Sequence, residues 1–389
     1  MNNTPFAISP SKIAGYFLYK CDRQLHWSMI NKQNSESLST IPPLPSQEEE
    51  SKLMTALTSG GFDWEKELIE HVLVDDLVSV DGFVPKPKGK AFTKAQTFTT
   101  LRTIDTGQWI FQSTFYAPQS FYEQYDIDST LIKFRDCYPD LITKTPEGRL
   151  RIVDAKASAR IQIKHKIQVA VYALLLEHIL QDQNIDANVD METGGIWLGG
   201  DEEYTTFDLE AVLPHVRRLL SHDLTRVAKV PANEAMWHLY FECELCPWMK
   251  HCRNECITTD SVSRIPYLSP ANKQYLVSKN VDLHTVEDVI TLLDTKEEQK
   301  ARMAESGSLK AHGKKIYTLA KSLKMNSIIP HGNIPFQLSN DEDVRIFLSI
   351  EKEPSTKQIC AISVDIEVSP KAEVFFSNES RVFIASSAD

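Results

Sequence analysis

The sequence predicts an α/β protein with a β, β, α core, and three observations carry that prediction. Leu141 to Val153 holds two strand-like runs separated by Pro146-Glu147-Gly148, a turn signal, so the stretch reads as a hairpin. Lys164 to Leu180 follows with Ile167, Val171, Leu174 and Leu175 at helical spacing, the pattern of a strong amphipathic helix. Apolar residues make up 42% and charged residues 24% of the chain, which suits a globular protein with a buried core. Its 389 residues leave room for two or three domains.

The remaining elements are read in order. From Ser9 to Trp27 two candidate N-cap serines precede Ile13, Phe17 and Leu18 at helical intervals, predicting a helix that ends near Cys21. Residues 33–51, with Pro42, Pro43, Pro45 and Glu48 to Glu50, read as a loop. Asp63 to Val74 reads as a second helix after the Gly60-Gly61 breaker, and it carries Glu65, Glu67 and Glu70. Residues 97–117 (TFTTLRTI, WIFQSTFYA) are expected to be β-rich, and Leu209 to Val227 helical. Further on, Leu268 to Leu293 reads as two short helices around a turn and Lys310 to Lys324 as a basic helix. Short alternating runs from Val344 to Ile384 (VRIFLSI, ICAISVDI, AEVFF, RVFIA) predict a small antiparallel sheet. The expected domains are 1–260, 261–330 and 331–389.

Several classes of function are excluded or disfavoured. No apolar run approaches the ~20 residues that span a bilayer, and Met1 to Pro10 lacks a secretory pattern, so a cytoplasmic chain with no membrane partner is expected. A net charge of -11 argues against a non-specific nucleic-acid coat protein, though not against an enzyme with its cations on one face.

The chemistry-bearing stretch is Pro139-Asp140, followed by Asp154-Ala155-Lys156. Residues two apart on a strand share a face, so Asp154 and Lys156 project together, and Asp140 enters the neighbouring strand at the same end. Glu65 is a candidate third carboxylate. Hard oxygen ligands of this kind suit Mg²⁺ or Mn²⁺, which lowers the pKa of water for phosphodiester hydrolysis, while the Lys156 ammonium stabilises developing charge or orients the nucleophile. Gln168 and Tyr172 lie at i and i+4 on the next helix, where they could orient Lys156 or touch a nucleic-acid backbone. Arg160, Lys164, His165 and Lys166 are candidates for a phosphate-binding edge. A lone D-x-K is more often an exposed ion pair of little worth. The full order, from a helical Glu through Pro-Asp and a hairpin to Q-x-x-x-Y, is far more specific.

Cysteine usage gives a second signal. Cys243-x2-Cys246-x5-Cys252 places three of the seven cysteines within ten residues, which in a reducing compartment reads as metal binding. A closed tetrahedral site needs a fourth ligand, for which Cys21 and Cys256 compete, and spacing does not separate Fe-S from Zn²⁺. Cys137 and Cys360 read as ordinary apolar positions.

Taken together, Cys21, Glu65, Pro139-Asp140, Asp154-Ala155-Lys156, Gln168-x3-Tyr172 and the cysteine run resemble the RecB-like, iron-sulfur-containing branch of PD-(D/E)xK nucleases. The CRISPR adaptation exonucleases and the nuclease domains of several helicase-nucleases belong to that branch. Over about residues 9 to 256 the resemblance implies a restriction-endonuclease-like mixed sheet flanked by helices. It further implies a [4Fe-4S] cluster on Cys21, Cys243, Cys246 and Cys252, with Cys256 surplus, and a Mg²⁺ or Mn²⁺ site at Glu65, Asp140, Asp154 and the Ala155 carbonyl. Asp140, Asp154, Lys156, Gln168 and Tyr172 would be catalytic. The implied activity is a metal-dependent deoxyribonuclease acting on single-stranded or branched DNA, in DNA repair or antiviral (anti-phage) defence, alongside a partner helicase or nuclease subunit. Beyond 256 the similarity is to a small helical unit followed by an RNase H-like domain. There FLSIEKEP puts Ser349 where a first Asp belongs and keeps Glu351 and Glu353, so a truncated, inactive β-rich remnant is expected. Two other classes compete: a non-catalytic DNA-binding or scaffold subunit, and a zinc-stabilised interaction protein.

Overall fold

The computed structural model describes residues 5–30, 42, 61–158, 160–281, 283–295, 297–329, 343–352, 359–370 and 379–384. The loop expected at 33–51, apart from Pro42, and the run AEVFF fall outside these residues. The chain divides into two units, Met1–Ile329 and Pro330–Asp389.

In the first unit, β1 (Phe6–Ile8) leads into α1 (Pro10–Tyr19), with Pro10 at a helical position whose N–H would have no partner in any case. Lys20 turns left-handed at φ 45 and ends α1. Cys21 then caps α2 (Asp22–Met29), its sulfur accepting the Gln24 amide at 3.4 Å. The expected helix thus ends just before Cys21, and a second helix that the sequence reading did not name starts there, with Cys21 at the elbow. Next, α3 runs helically over 61–67 and continues as the π-helical turn Leu68–Val72; it buries Trp64, Leu68 and Ile69 and leaves Glu67 and Glu70 exposed.

The run TFTTLRTI, expected as strand, lies largely in a helix, α4 (Lys94–Thr103). Thr93 and Gln96 close a capping box at its start. The Thr99 and Thr103 hydroxyls donate back to the carbonyls of Ala95 at 3.1 Å and Thr99 at 3.0 Å. Thr97 is buried, and its Oγ1 accepts the Thr114 amide at 2.9 Å. Capping and back-bonding override the strand preference of threonine. The β-rich expectation survives only in β2 (Trp109–Phe111).

After α5 (Gln119–Gln124), β3 (Ile132–Phe134) pairs in parallel with β1. The hairpin around Pro146-Glu147-Gly148 forms as expected from β4 (Leu141–Lys144) and β5 (Arg149–Lys156), antiparallel, with Leu141 opposite Val153. Then come α6 (Ile163–Asp182), β6 (Asn188–Val189), β7 (Thr193–Leu198) and β8 (Thr205–Asp208). Among the described residues the main sheet runs β2-β4-β5-β7-β8, with β6 also on β5. β5 is parallel to β6 and β7, and the other pairs are antiparallel, so the sheet is mixed.

Alternation along β5 assigns its faces. Leu150 and Ile152 join the large core against α6, whereas Val153 and Ala155 join Trp64, Trp109 and Trp197 on the other face. α6 is not amphipathic but buried nearly all round, from Ile167 to Leu180, because α1 packs on it opposite the sheet. Gly194 on β7 permits that close approach: a Cβ there would lie 2.8 Å from Val169 of α6.

The helix expected over 209–227 is α7 (Leu213–Arg218), continued through the π-helical Leu219–Asp223 into α8 (Leu224–Lys229). α9 (Met249–Thr258) follows the cysteine run. α10 (Pro270–Ser278), α11 (Val286–Thr295), α12 (Glu297–Ala304) and α13 (Gly307–Met325) then enclose a core of their own, including Val262, Ile265, Leu276, Val289, Leu292 and Ile316. In the second unit β9 (Val344–Lys352), β10 (Ile359–Val368) and β11 (Glu379–Ile384) form an antiparallel meander in the order β11-β10-β9. Ser349 and Glu351 lie on β9; Glu353 is outside the described residues.

Candidate active site and cysteine centre

The row of β5 side chains facing α6 is apolar at Leu150 and Ile152 and becomes charged at its end, at Asp154 and Lys156. Extending the register by one residue sets Asp140 opposite Asp154. The Lys156 ammonium lies 2.9 Å from Asp154 Oδ2 and 3.2 Å from Asp140 Oδ2. Asp140 Oδ2 also accepts the Ala155 amide at 3.0 Å. The two carboxylates therefore converge on one point.

Burial decides the electrostatics. Asp154 is 1% exposed, and burial, reinforced by the Asp140 charge, raises its carboxyl well above the ordinary range despite Lys156. Burial alone would push Lys156 down, but Asp140 and Asp154 outweigh it and hold the ammonium protonated. Asp154 Oδ2 is buried and faces the Lys156 ammonium at 2.9 Å, with no other polar partner among the described residues. A buried carboxylate oxygen in that condition suits a cation.

Gln168 reaches Asp154 rather than Lys156: its Nε2 lies 3.5 Å from Asp154 Oδ1 and 3.5 Å from the Tyr172 hydroxyl. Tyr172 in turn donates to the Tyr138 carbonyl at 3.2 Å, tying α6 to the residue before Pro139. Glu65, half-buried on α3, lies within electrostatic reach of Asp140 and Lys156. Burial, then the Asp140 charge, raises it to about 7, while Lys156 and Lys88 pull it down.

The four expected phosphate-edge residues separate. Lys164 stands within electrostatic reach of Lys156, and burial with that neighbour lowers its pKa. His165 does not serve as a cation: it is buried, its Nδ1 accepts the Gln162 amide at 3.3 Å in the α6 cap, and burial drives its pKa to about 3. Lys166 lies over the Phe207 ring, 5.3 Å from its centroid, and Arg160 is exposed on the loop before α6. Sequence reasoning missed Lys88, which no spacing rule connects to Glu65.

Cys21, Cys243, Cys246 and Cys252 line one cavity, with Arg23, Trp27, Trp237 and Trp248 among its walls. Burial raises all four thiols, Cys21 and Cys246 to about 12, so thiolates there require a positive occupant. The N–H groups of Arg23 Nε, Trp27 Nε1 and Trp248 Nε1 are buried and meet no acceptor among the described residues. A centre rich in sulfur acceptors would satisfy them, so the donor set fits a metal–thiolate group. Cys256 is buried elsewhere, near Ser261 and Arg264, and Cys137 sits in the main core. The two residues that follow Cys21 are pinned: Asp22 pairs with Arg226 at 2.5 Å, and Arg23 with Glu255 at 2.6 Å. At neither site do three or more donors of the described residues already stand at the spacing of a coordinated ion, so side chains would rotate to close either one.

Residues 126–253 match the protein-family model of the PD-(D/E)XK nuclease superfamily. That segment includes Asp140, Asp154, Lys156, Gln168, Tyr172 and the cysteines at 243, 246 and 252; Glu65 and Cys21 precede it. No curated protein matches the chain. The match points to a nuclease, of a superfamily whose members typically depend on metal, and the mixed sheet flanked by helices agrees with its fold. No helix among the described residues is long and apolar enough to cross a membrane.

Proposed function

We propose that the chain is a Mg²⁺- or Mn²⁺-dependent deoxyribonuclease that hydrolyses phosphodiester bonds in single-stranded or branched DNA. One observation carries the reading: Asp140 and Asp154, from neighbouring strands, meet at the Lys156 ammonium at 3.2 and 2.9 Å. Asp140, Asp154, Glu65 and the Ala155 carbonyl would hold the ion. When bound, such an ion lowers the pKa of water and neutralises charge on the phosphoryl oxygens. Gln168 positions Asp154, Tyr172 fixes Gln168, and Lys156 stabilises charge on the attacked phosphate. Lys164 adds positive potential beside it.

The cysteine cavity, on the same reading, holds a [4Fe-4S] cluster on Cys21, Cys243, Cys246 and Cys252 with a structural role. Its support is the gathering in one cavity of four thiols and of N–H donors that meet no acceptor among the described residues. The C-terminal meander is read as an RNase H-like remnant without activity, since Ser349 supplies no carboxylate on β9. Motif order favours a place in DNA repair or anti-phage defence beside a helicase or nuclease partner. The test is cleavage of end-labelled single-stranded, duplex and forked DNA with Mn²⁺. Wild-type protein should cut at least one substrate and Asp154→Ala none; equal activity in both would sink the reading.

A further inference from the structure

The basic helix singled out in the sequence, α13, takes no part in either site described above. Its cations divide into two groups. Toward the C-terminus, Lys321 and Lys324 face acids of α11, Asp294 at 3.8 Å and Glu287 at 3.2 Å, and are neutralised. Toward the N-terminus, exposed Lys310 and Lys314 have no ion-pair partner among the described residues. Nearby acids are engaged elsewhere: Glu305 with Lys279 at 2.9 Å, and Asp294 with Tyr317 and Lys321. The first turn of α13 carries no acidic residue that could pair with Lys310 or Lys314 along the helix.

An aromatic platform adjoins them. Tyr267 is 50% exposed and adopts φ 69, a left-handed conformation unfavourable for a bulky residue. Its ring stacks on exposed His312 of α13 with centroids 5.4 Å apart, and the Lys315 ammonium lies 3.8 Å from its centroid. The next residue, Leu268, is held through its carbonyl by His238 Nε2, and Lys273 Nζ donates to the Trp237 carbonyl at 2.9 Å. Trp237 and His238 line the cysteine cavity. The platform is thus anchored on the segment that walls that cavity.

We propose that Lys310, Lys314, Lys315, His312 and Tyr267 form a second nucleic-acid contact, separate from the cleavage site, that grips the backbone of a single strand and stacks one base on Tyr267. Charge complementarity argues for this partner: the chain carries -11 overall, yet here cations without an ion-pair partner among the described residues adjoin an exposed ring, the combination that binds single strands. The inference rests on the reading of a nucleic acid as substrate.

The test measures anisotropy of a fluorescein-labelled single-stranded oligonucleotide with the full chain in EDTA, across a salt series. Lys310→Glu/Lys314→Glu/Lys315→Glu should weaken binding about tenfold or more and reduce the slope of log affinity against log salt by about 2. Tyr267→Ala should weaken binding about tenfold with the slope unchanged. Thermal melts check that each variant folds, and Lys321→Glu should bind nearly as wild type does. Wild-type affinity and slope in the triple variant overturn the proposal. So does a wild-type chain that binds no oligonucleotide, which would mark the surface as a protein-docking face. An inactive chain that binds through these residues defeats the nuclease reading alone; an active chain whose binding ignores them defeats this one.

Discussion

Asp140 Oδ2 accepts the backbone N–H of Ala155 at 3.0 Å, so a side chain preceding one strand is tied to the main chain between the two charged residues of the next. The Asp140 backbone is pinned as well, its carbonyl accepting the Gln112 amide at 3.0 Å. Such fixing holds a carboxylate against repulsion from its neighbour, a need that arises when two acids share a buried point.

Lys156 should be separable from the carboxylates by its response to cations. Removing the ammonium leaves Asp154 buried beside Asp140, and proton uptake by Asp154 limits the damage. Lys156→Met should lose about 2 kcal/mol of stability in EDTA and on the order of 10²–10³-fold in cleavage rate. It should still bind Mn²⁺ at least as tightly as wild type, because the ion no longer displaces an ammonium. Asp154→Asn should lose the Mn²⁺-induced rise in melting temperature. Melts with and without Mn²⁺ compare the two, and Mn²⁺ binding lost equally in both would contradict this division of roles.

Glu65 gives the site a pH signature. A carboxyl raised to about 7 favours the fold in its protonated form, so its contribution is full below its ordinary value and fades as pH rises through 7. Protein in EDTA should lose on the order of 1 kcal/mol between pH 5 and 8 from this group, after discounting for its partial exposure. Glu65→Gln should flatten that loss. An ion displaces the proton, so Mn²⁺ affinity should fall as pH drops below about 7 in wild type, and less steeply in Glu65→Gln. Titration calorimetry at several pH values measures both slopes.

Much of the candidate site's geometry was legible because it follows from two periodicities. Alternation put Asp154 and Lys156 on one face, and helical i,i+4 spacing put Gln168 beside Tyr172. Glu65 was named as the third carboxylate, but helical periodicity alone did not separate it from Glu67 and Glu70 on the same short helix; burial does. Spacing likewise left Cys21 level with Cys256, and only the fold carries Cys21 across more than two hundred positions to the cavity. His165 was misread as a cation because adjacent lysines gave no hint that its ring closes the helix cap. Burial of α6 on nearly every side was equally hidden, for α1 comes from far away in the chain.

The clamp between Arg23 and Glu255 should matter more to the cysteine centre than to the acidic one. Arg23 is 4% exposed, held by Glu255 and set over the Trp27 and Trp237 rings at 5.1 and 4.4 Å. Glu255→Ala would leave a buried guanidinium short of its partner, costing about 3 kcal/mol. Anaerobically isolated wild type should be brown, with absorption near roughly 400 nm. Cys252→Ser should lose that absorption and Glu255→Ala should bleach faster in air. A colourless wild type that instead contains zinc would replace the iron-sulfur assignment.

The threonine-rich stretch gives a test of the element least expected from sequence. In a strand, an exposed threonine is worth keeping, and alanine in its place weakens the sheet. In α4 the order reverses: exposed Thr99→Ala should stabilise by about 0.5 kcal/mol, since alanine is the better helix former. Thr93→Ala should cost about 1 kcal/mol through the lost cap. Thr97→Val keeps shape but leaves the buried Thr114 amide without its acceptor, a loss of about 1–3 kcal/mol. Urea unfolding of the three variants reads these signs directly. Destabilisation by Thr99→Ala together with neutral Thr97→Val would mean that the stretch is a strand after all, and would remove the helix that holds Thr114, three residues beyond the end of β2.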